Sequence, residues 1–163
     1  MTDTNESLCD FVRRCYPLPG LEPVLLRLQD AHGLDVLMLL TACWLGSVRQ
    51  PLAHTDWTTL HQTQSVWHQQ VIQPLRQARR GLKSLADTSS FYAEIKALEQ
   101  ALEWHCLEQL QAACRIQLQD DSRDSRVLEH LIACCQTGNT PLSGELRSGL
   151  QQLSAWMERN ARS

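Results

Sequence analysis

Asp30, His32 and Asp35 fall within six consecutive residues, two carboxylates and an imidazole of the kind that general acid and base chemistry uses. Trp44, on the apolar run that follows, would complete a small ligand pocket with them. Local structure competes for the same residues. Asp35 stands where an N-cap belongs, Gly33 where a left-handed C-cap belongs, and His32 at a helix end where a positive charge meets the dipole. A second candidate is the row Arg76, Arg79, Arg80 and Lys83, whose spacing of three and four lines one helical stripe able to grip a phosphate, an RNA backbone or an acidic partner. Here too there is a rival. Residues 57–86 carry these four cations and no acid, whereas residues 87–110 carry Asp87, Glu94, Glu99, Glu103 and Glu108 with only Lys96. Pairing with Glu94, Glu99 and Glu103 across a helical hairpin would fix its register and occupy the stripe. The stripe also lacks the interleaved aromatics of a single-strand stacking platform, and no helix-turn-helix or zinc-finger pattern accompanies it.

Of the five tryptophans, Trp44 and Trp67 read as core. Trp104 and Trp156 sit slightly off their apolar stripes and read as partly exposed anchors for another protein, because interface hot spots favour Trp. His54, His61 and His68 recur every seven residues, and His105 precedes Cys106. Groups seven apart on a helix are separated by about 10 Å along its axis, so two of them cannot ligate one ion, and no metal site is expected. The vicinal Cys134 and Cys135 read as core filler rather than a redox switch. No nucleophile elbow, phosphate-cradling loop or dinucleotide fingerprint occurs among only seven glycines, so no cofactor is expected.

The elements that position these residues are helices. Leu occurs 27 times and Gln 16 times, against 11 for Val and Ile together, a balance that favours helix over strand. With 163 residues, 43% hydrophobic and 20% charged, the chain is a single globular domain large enough to hold together without disulfides or metal. Seven cysteines with no Cys-x-x-Cys spacing read as free thiols. A net charge of −3 disfavours global capture of nucleic acid. The longest apolar run, Val36 to Leu45 broken only by Thr41, is about half of what a bilayer span needs. The start lacks the basic and apolar regions of a secretory signal, which places the chain in the cytoplasm.

Helices are expected from Ser7 to Tyr16, from about Leu21 to His32, and from Val36 to Leu45 with Gly46 ending the last. A long one from Asp56 to Lys83 should kink or break at Pro74. Another runs from Phe91 to about Gln117 and pairs antiparallel with it. A charged turn at Asp120 to Asp124, a short helix through Val127 and Cys135, and a final helix through Leu142 and Met157 complete the chain. The expectation is an all-α, single-domain bundle of six or seven helices with a long antiparallel hairpin, spanning 7–159 between a flexible 1–6 and a tail at 160–163.

The run Leu28-Gln29-Asp30-Ala31-His32-Gly33-Leu34-Asp35-Val36, with Leu39-Leu40 and Trp44-Leu45-Gly46 after it, resembles the signature of a family of small bacterial conserved hypothetical proteins known as a domain of unknown function. Asp10-Phe11, Tyr16 and Pro19-Gly20 fit its opening. Val71-Ile72-Gln73-Pro74-Leu75-Arg76 with Arg79-Arg80 and Lys83 fits its middle, and Glu94 to Glu99 its long helix, so the likeness covers residues 7 to about 110. Cys9 stands where that family usually has Trp, and Leu37 where it usually has Asn. The resemblance brings no established activity with it. Three functions are then open. The first is a non-enzymatic adaptor or regulator that docks a protein through the basic stripe, an exposed Trp or both, with a homodimer as one form. The second is a translation-linked or RNA-associated factor using Arg76, Arg79, Arg80 and Lys83. The third is a ligand-binding or catalytic bundle at Asp30, His32, Asp35 and Trp44.

Overall fold

Side-chain and backbone caps set most of the helix ends in the computed structural model, which describes residues 6–85, 87–115 and 126–160. Ser7 starts α1 (Leu8–Cys15): its hydroxyl oxygen accepts the Asp10 amide at 3.1 Å and donates to the Asp10 carboxylate at 2.7 Å. α2 (Leu21–His32) closes on Gly33 at φ 66°, a left-handed cap that a side chain adopts only with strain. Asp35 opens α3 (Val36–Ser47) by accepting the Leu37 amide at 2.9 Å.

Every residue of α3 between its first and last is buried. The helix packs on α1, α2, α6 (Ser89–Ala113), α7 (Val127–Thr137) and α8 (Gly144–Asn160), which explains an apolar surface on all sides. Gly46 does not end it. The helix continues to Ser47, and Gly46 is the point where α7 crosses: a Cβ there would lie 2.3 Å from the Val127 Cα, and the Gly46 carbonyl accepts the Arg126 amide at 3.2 Å. The glycine is present for a close approach between backbones, a contact far away in sequence.

After a short 3₁₀ turn (Leu52–His54), α4 (Trp57–Trp67) starts on Asp56 and runs without a break through a π-helical stretch (His68–Ile72) into α5 (Gln73–Leu82). The break expected at Pro74 is therefore absent, and the irregularity takes the form of a π turn ahead of it. Gln73 stays helical, at φ −60° and ψ −48°, and its N–H reaches back five residues to the His68 carbonyl. Widening the turn ahead of the proline makes room for a ring that would otherwise meet the carbonyl four residues back. α6 ends at Ala113, short of Gln117. The region from 116 to 125, where the charged turn was expected, lies outside the described residues, as do 1–5 and 161–163.

Counting α4, the π stretch and α5 as one, the described residues form seven helices and no strand. This is an all-α single domain, with α4 to α5 laid against α6 as the long hairpin. No helix among the described residues is long and apolar enough to cross a membrane.

Candidate functional site

Asp35 links the α3 N-terminus to the π stretch. One carboxylate oxygen caps Leu37, and the other accepts Gln64 Nε2 at 2.9 Å and faces His68 Nδ1 at 3.3 Å. His68 follows Gln64 by one helical turn, so both side chains reach Asp35 from the same face. On one side of Asp35 is a cavity of about 160 Å³, lined by Gln64, His61, His68 and Cys134 among others, with His61 Nε2 donating to the Cys134 carbonyl at 2.7 Å.

On the other side lies a larger cleft of about 480 Å³, walled by Val12, Leu26, Val36, Leu40 and Leu107 from α1, α2, α3 and α6. Trp104 stands half-buried in it with the Arg13 guanidinium 4.8 Å over its ring. Tyr16, Arg76 and Glu103 supply the polar edge. Burial raises the Tyr16 phenol above its ordinary value, helped by Glu22 and Glu103. Burial likewise raises the Glu103 carboxyl, against the pull of Arg76.

The basic stripe is mostly engaged. Glu99, 7% exposed at its side chain, accepts Arg76 Nε at 2.9 Å on one oxygen and Arg79 Nε at 2.7 Å on the other. Arg76 also donates to Glu103 at 3.0 Å, and Arg79 to the Tyr92 hydroxyl at 3.2 Å. Desolvation pushes the Glu99 carboxyl up, yet the two guanidiniums win and hold it below its ordinary value. Lys83 lies over the Tyr92 ring at 5.6 Å and Arg80 beside Asp30 along a shallow pocket; both are exposed. Glu94, expected in the cross-hairpin pairs, stays on the exposed edge of α6.

Several sequence expectations are corrected here. Trp156 is not an exposed anchor: it is buried, and its indole donates to the Pro19 carbonyl at 3.1 Å, because the turn before α2 folds over it. Trp44 does not join Asp35. Its position at the far end of α3 buries it, and its indole donates to the Glu6 carbonyl at 2.9 Å. Asp30 points to the Arg80 side of the Asp35 turn, and His32 lines none of these cavities, so Asp30, His32, Asp35 and Trp44 do not form one pocket. Trp67 is half-buried and packs edge-on against His105 at 5.1 Å. Six of the seven free cysteines are buried and Cys114 is half-buried. Burial pushes Cys106 and Cys135 up to about 11 and Cys114 up to about 12. Among the described residues no three His, Cys, Asp or Glu side chains converge on one point.

The cleft instead gathers Arg76 and Trp104 from the partner-binding candidates with Asp35 from the pocket candidates. Arg13, Tyr16 and Glu103 were not singled out as cleft residues; Arg13 and Tyr16 are separated from Trp104 by about ninety residues, and only the packing of α1 on α6 brings them together.

Fold and site define a helical-bundle domain built around a buried central helix, with a mixed apolar and charged cleft between its first helices and its long hairpin. The chain belongs to the family of proteins of unknown function DUF2390, which matches residues 7–110. That span contains α1 to most of α6 and every residue that lines the larger cleft. No curated protein and no solved structure matches the chain.

Proposed function

We propose that this domain is a non-enzymatic protein-interaction module, an adaptor or regulator, and that a partner protein docks in the cleft between α1, α2, α3 and α6. The observation that carries this reading is Trp104: a half-buried indole, capped by Arg13, at the wall of an apolar-lined cleft of about 480 Å³, in the combination of residue types that concentrates binding energy. Apolar walls ask for an apolar side chain from the partner, and Glu103, the edge carboxyl whose proton burial favours, asks for a hydrogen-bonding group beside it. Asp35 supports a structural role rather than a catalytic one, because its oxygens are occupied by Leu37, Gln64 and His68. The RNA-associated reading is left with Arg80 and Lys83 as the exposed part of its stripe.

A tagged chain recovered from native lysate, with and without nuclease, tests the reading when Trp104→Ala is run beside the parent. The expected result is a stoichiometric protein that survives nuclease and is lost with Trp104→Ala. Retention by the variant overturns the cleft as the docking site. Loss on nuclease favours the RNA-associated factor, and recovery of the bait alone favours a small-molecule bundle.

A further inference from the structure

The α5–α6 hairpin has a second face, away from the cleft. On α5, Leu75, Ala78 and Leu82 follow one another at three and four residues, with Leu85 just beyond the helix end. On α6, Phe91, Ile95, Leu98 and Leu102 do the same at four, three and four. This is the a/d spacing of helices that pack in bundles. Each stripe lies about 90–100° around its helix from the row that faces the other helix, namely Arg76, Arg79 and Lys83 on α5 and Tyr92, Glu99 and Glu103 on α6. Because the helices are antiparallel, equal rotations put both stripes on one side of the hairpin. Gln100, Trp104 and Leu107 lie on the opposite side of α6, where they line the cleft.

Leu102, at one end of that face, packs against the core, and the rest of the face toward the hairpin tip is uncovered. Phe91 is 57%, Leu98 49% and Leu85 62% exposed, and none of Leu75, Leu82, Ile95 or these three joins the core. α5 has no fully buried residue, and the first half of α6 has only Glu99; Leu75, Leu82 and Ile95 are half-buried, while Leu85, Phe91 and Leu98 are exposed.

We propose that a second copy of this chain covers this face, two hairpins meeting about a twofold axis as a four-helix bundle. A twofold contact needs a surface complementary to itself. Neither stripe carries an ionisable side chain, so two copies meet without burying an unpaired charge; a charged partner would find nothing to answer it along the seam. Covering the exposed part of both copies' stripes removes on the order of 1,000 Å² from water, the lower bound of a specific interface, so the dimer should be concentration-dependent. The cleft stays open on the other side, so this inference stands apart from the docking reading.

Light scattering on the purified full chain, from about 1 to 200 μM, is the test. The expected mass climbs with concentration from 18.5 kDa toward twice that value. Phe91→Glu and Leu98→Glu, each checked for helicity by circular dichroism, should weaken the dimer at least tenfold, while Arg147→Glu on exposed α8 surface leaves it unchanged. A mass of 18.5 kDa at every concentration overturns the proposal. A dimer indifferent to both folded hairpin variants overturns it as well, because another face would then be paired.

Discussion

Glu99 and Glu103 share Arg76 yet titrate in opposite directions, and that difference makes them separable. Glu99 is the counter-charge of two guanidiniums that are themselves mostly buried, so Glu99→Gln leaves Arg79 with no carboxylate and Arg76 with Glu103 alone, at a cost of about 2–4 kcal/mol. Glu103 is held above its ordinary value by burial, so its charge is a burden at neutral pH, and Glu103→Gln should change stability by less than about 1 kcal/mol. Urea unfolding of the two variants at pH 7 checks the contrast; equal losses would show that the clamp is not centred on Glu99. The charge segregation between residues 57–86 and 87–110 was legible in the sequence. Which acid took which base was not, because it depends on the phase at which α5 leaves the π turn.

At the level of elements, the helix starts were legible where a side chain caps its own helix, as at Ser7 and Asp35, because such a bond spans only two or three residues. Gly33 and Gly46 look alike in sequence and differ in kind. Gly33 sits at φ +66° with open space where a Cβ would go, so Gly33→Ala should cost about 1–2 kcal/mol from backbone strain alone. Gly46 is helical and pressed on α7, so Gly46→Ala must force α3 and α7 apart, with an expected loss of about 3 kcal/mol or more. Thermal melts of the two variants should rank them in that order. Trp156 was misread for the same reason as Gly46: helical periodicity gives the face of α8 but not the loop that folds over it. The larger cleft escaped the sequence because its walls come from α1, α2, α3 and α6, and no local spacing encodes their meeting.

For the molecule as a whole, two buried groups lose their stabilising contribution in acid, each in its own pH range. His130 is fully buried between α7 and the end of α3; its Nε2 meets the Gln50 carbonyl at 2.8 Å, and burial lowers its pKa below the ordinary 6.5. A histidine that takes its proton more readily unfolded than folded contributes stability above pH 6.5 that drains away as pH falls below that value. Glu99 follows, its contribution lost as pH falls from the ordinary 4.5 through its depressed folded pKa. Melting temperature should therefore hold steady between about pH 7 and 8 and fall in two stages on acidification. His130→Gln, which keeps a donor for the Gln50 carbonyl, should remove the first stage and leave the second. Survival of the first stage in that variant would assign it elsewhere. The all-α, single-domain plan was legible from composition and periodicity because both act over the whole chain, whereas the buried histidine was hidden on a short helix whose neighbours are distant in sequence.

The bond from Trp156 to the Pro19 carbonyl joins residues 137 positions apart, and α8 covers α2 around it. During synthesis the early helices are therefore finished long before the element that shields them exists. Leu21, Leu25 and Leu28 must wait in a half-built shell until α8 is made. The nascent chain is then most exposed to chaperones and proteases before α8 emerges, and a stop ahead of α8 would leave an open, sticky intermediate rather than a smaller working domain.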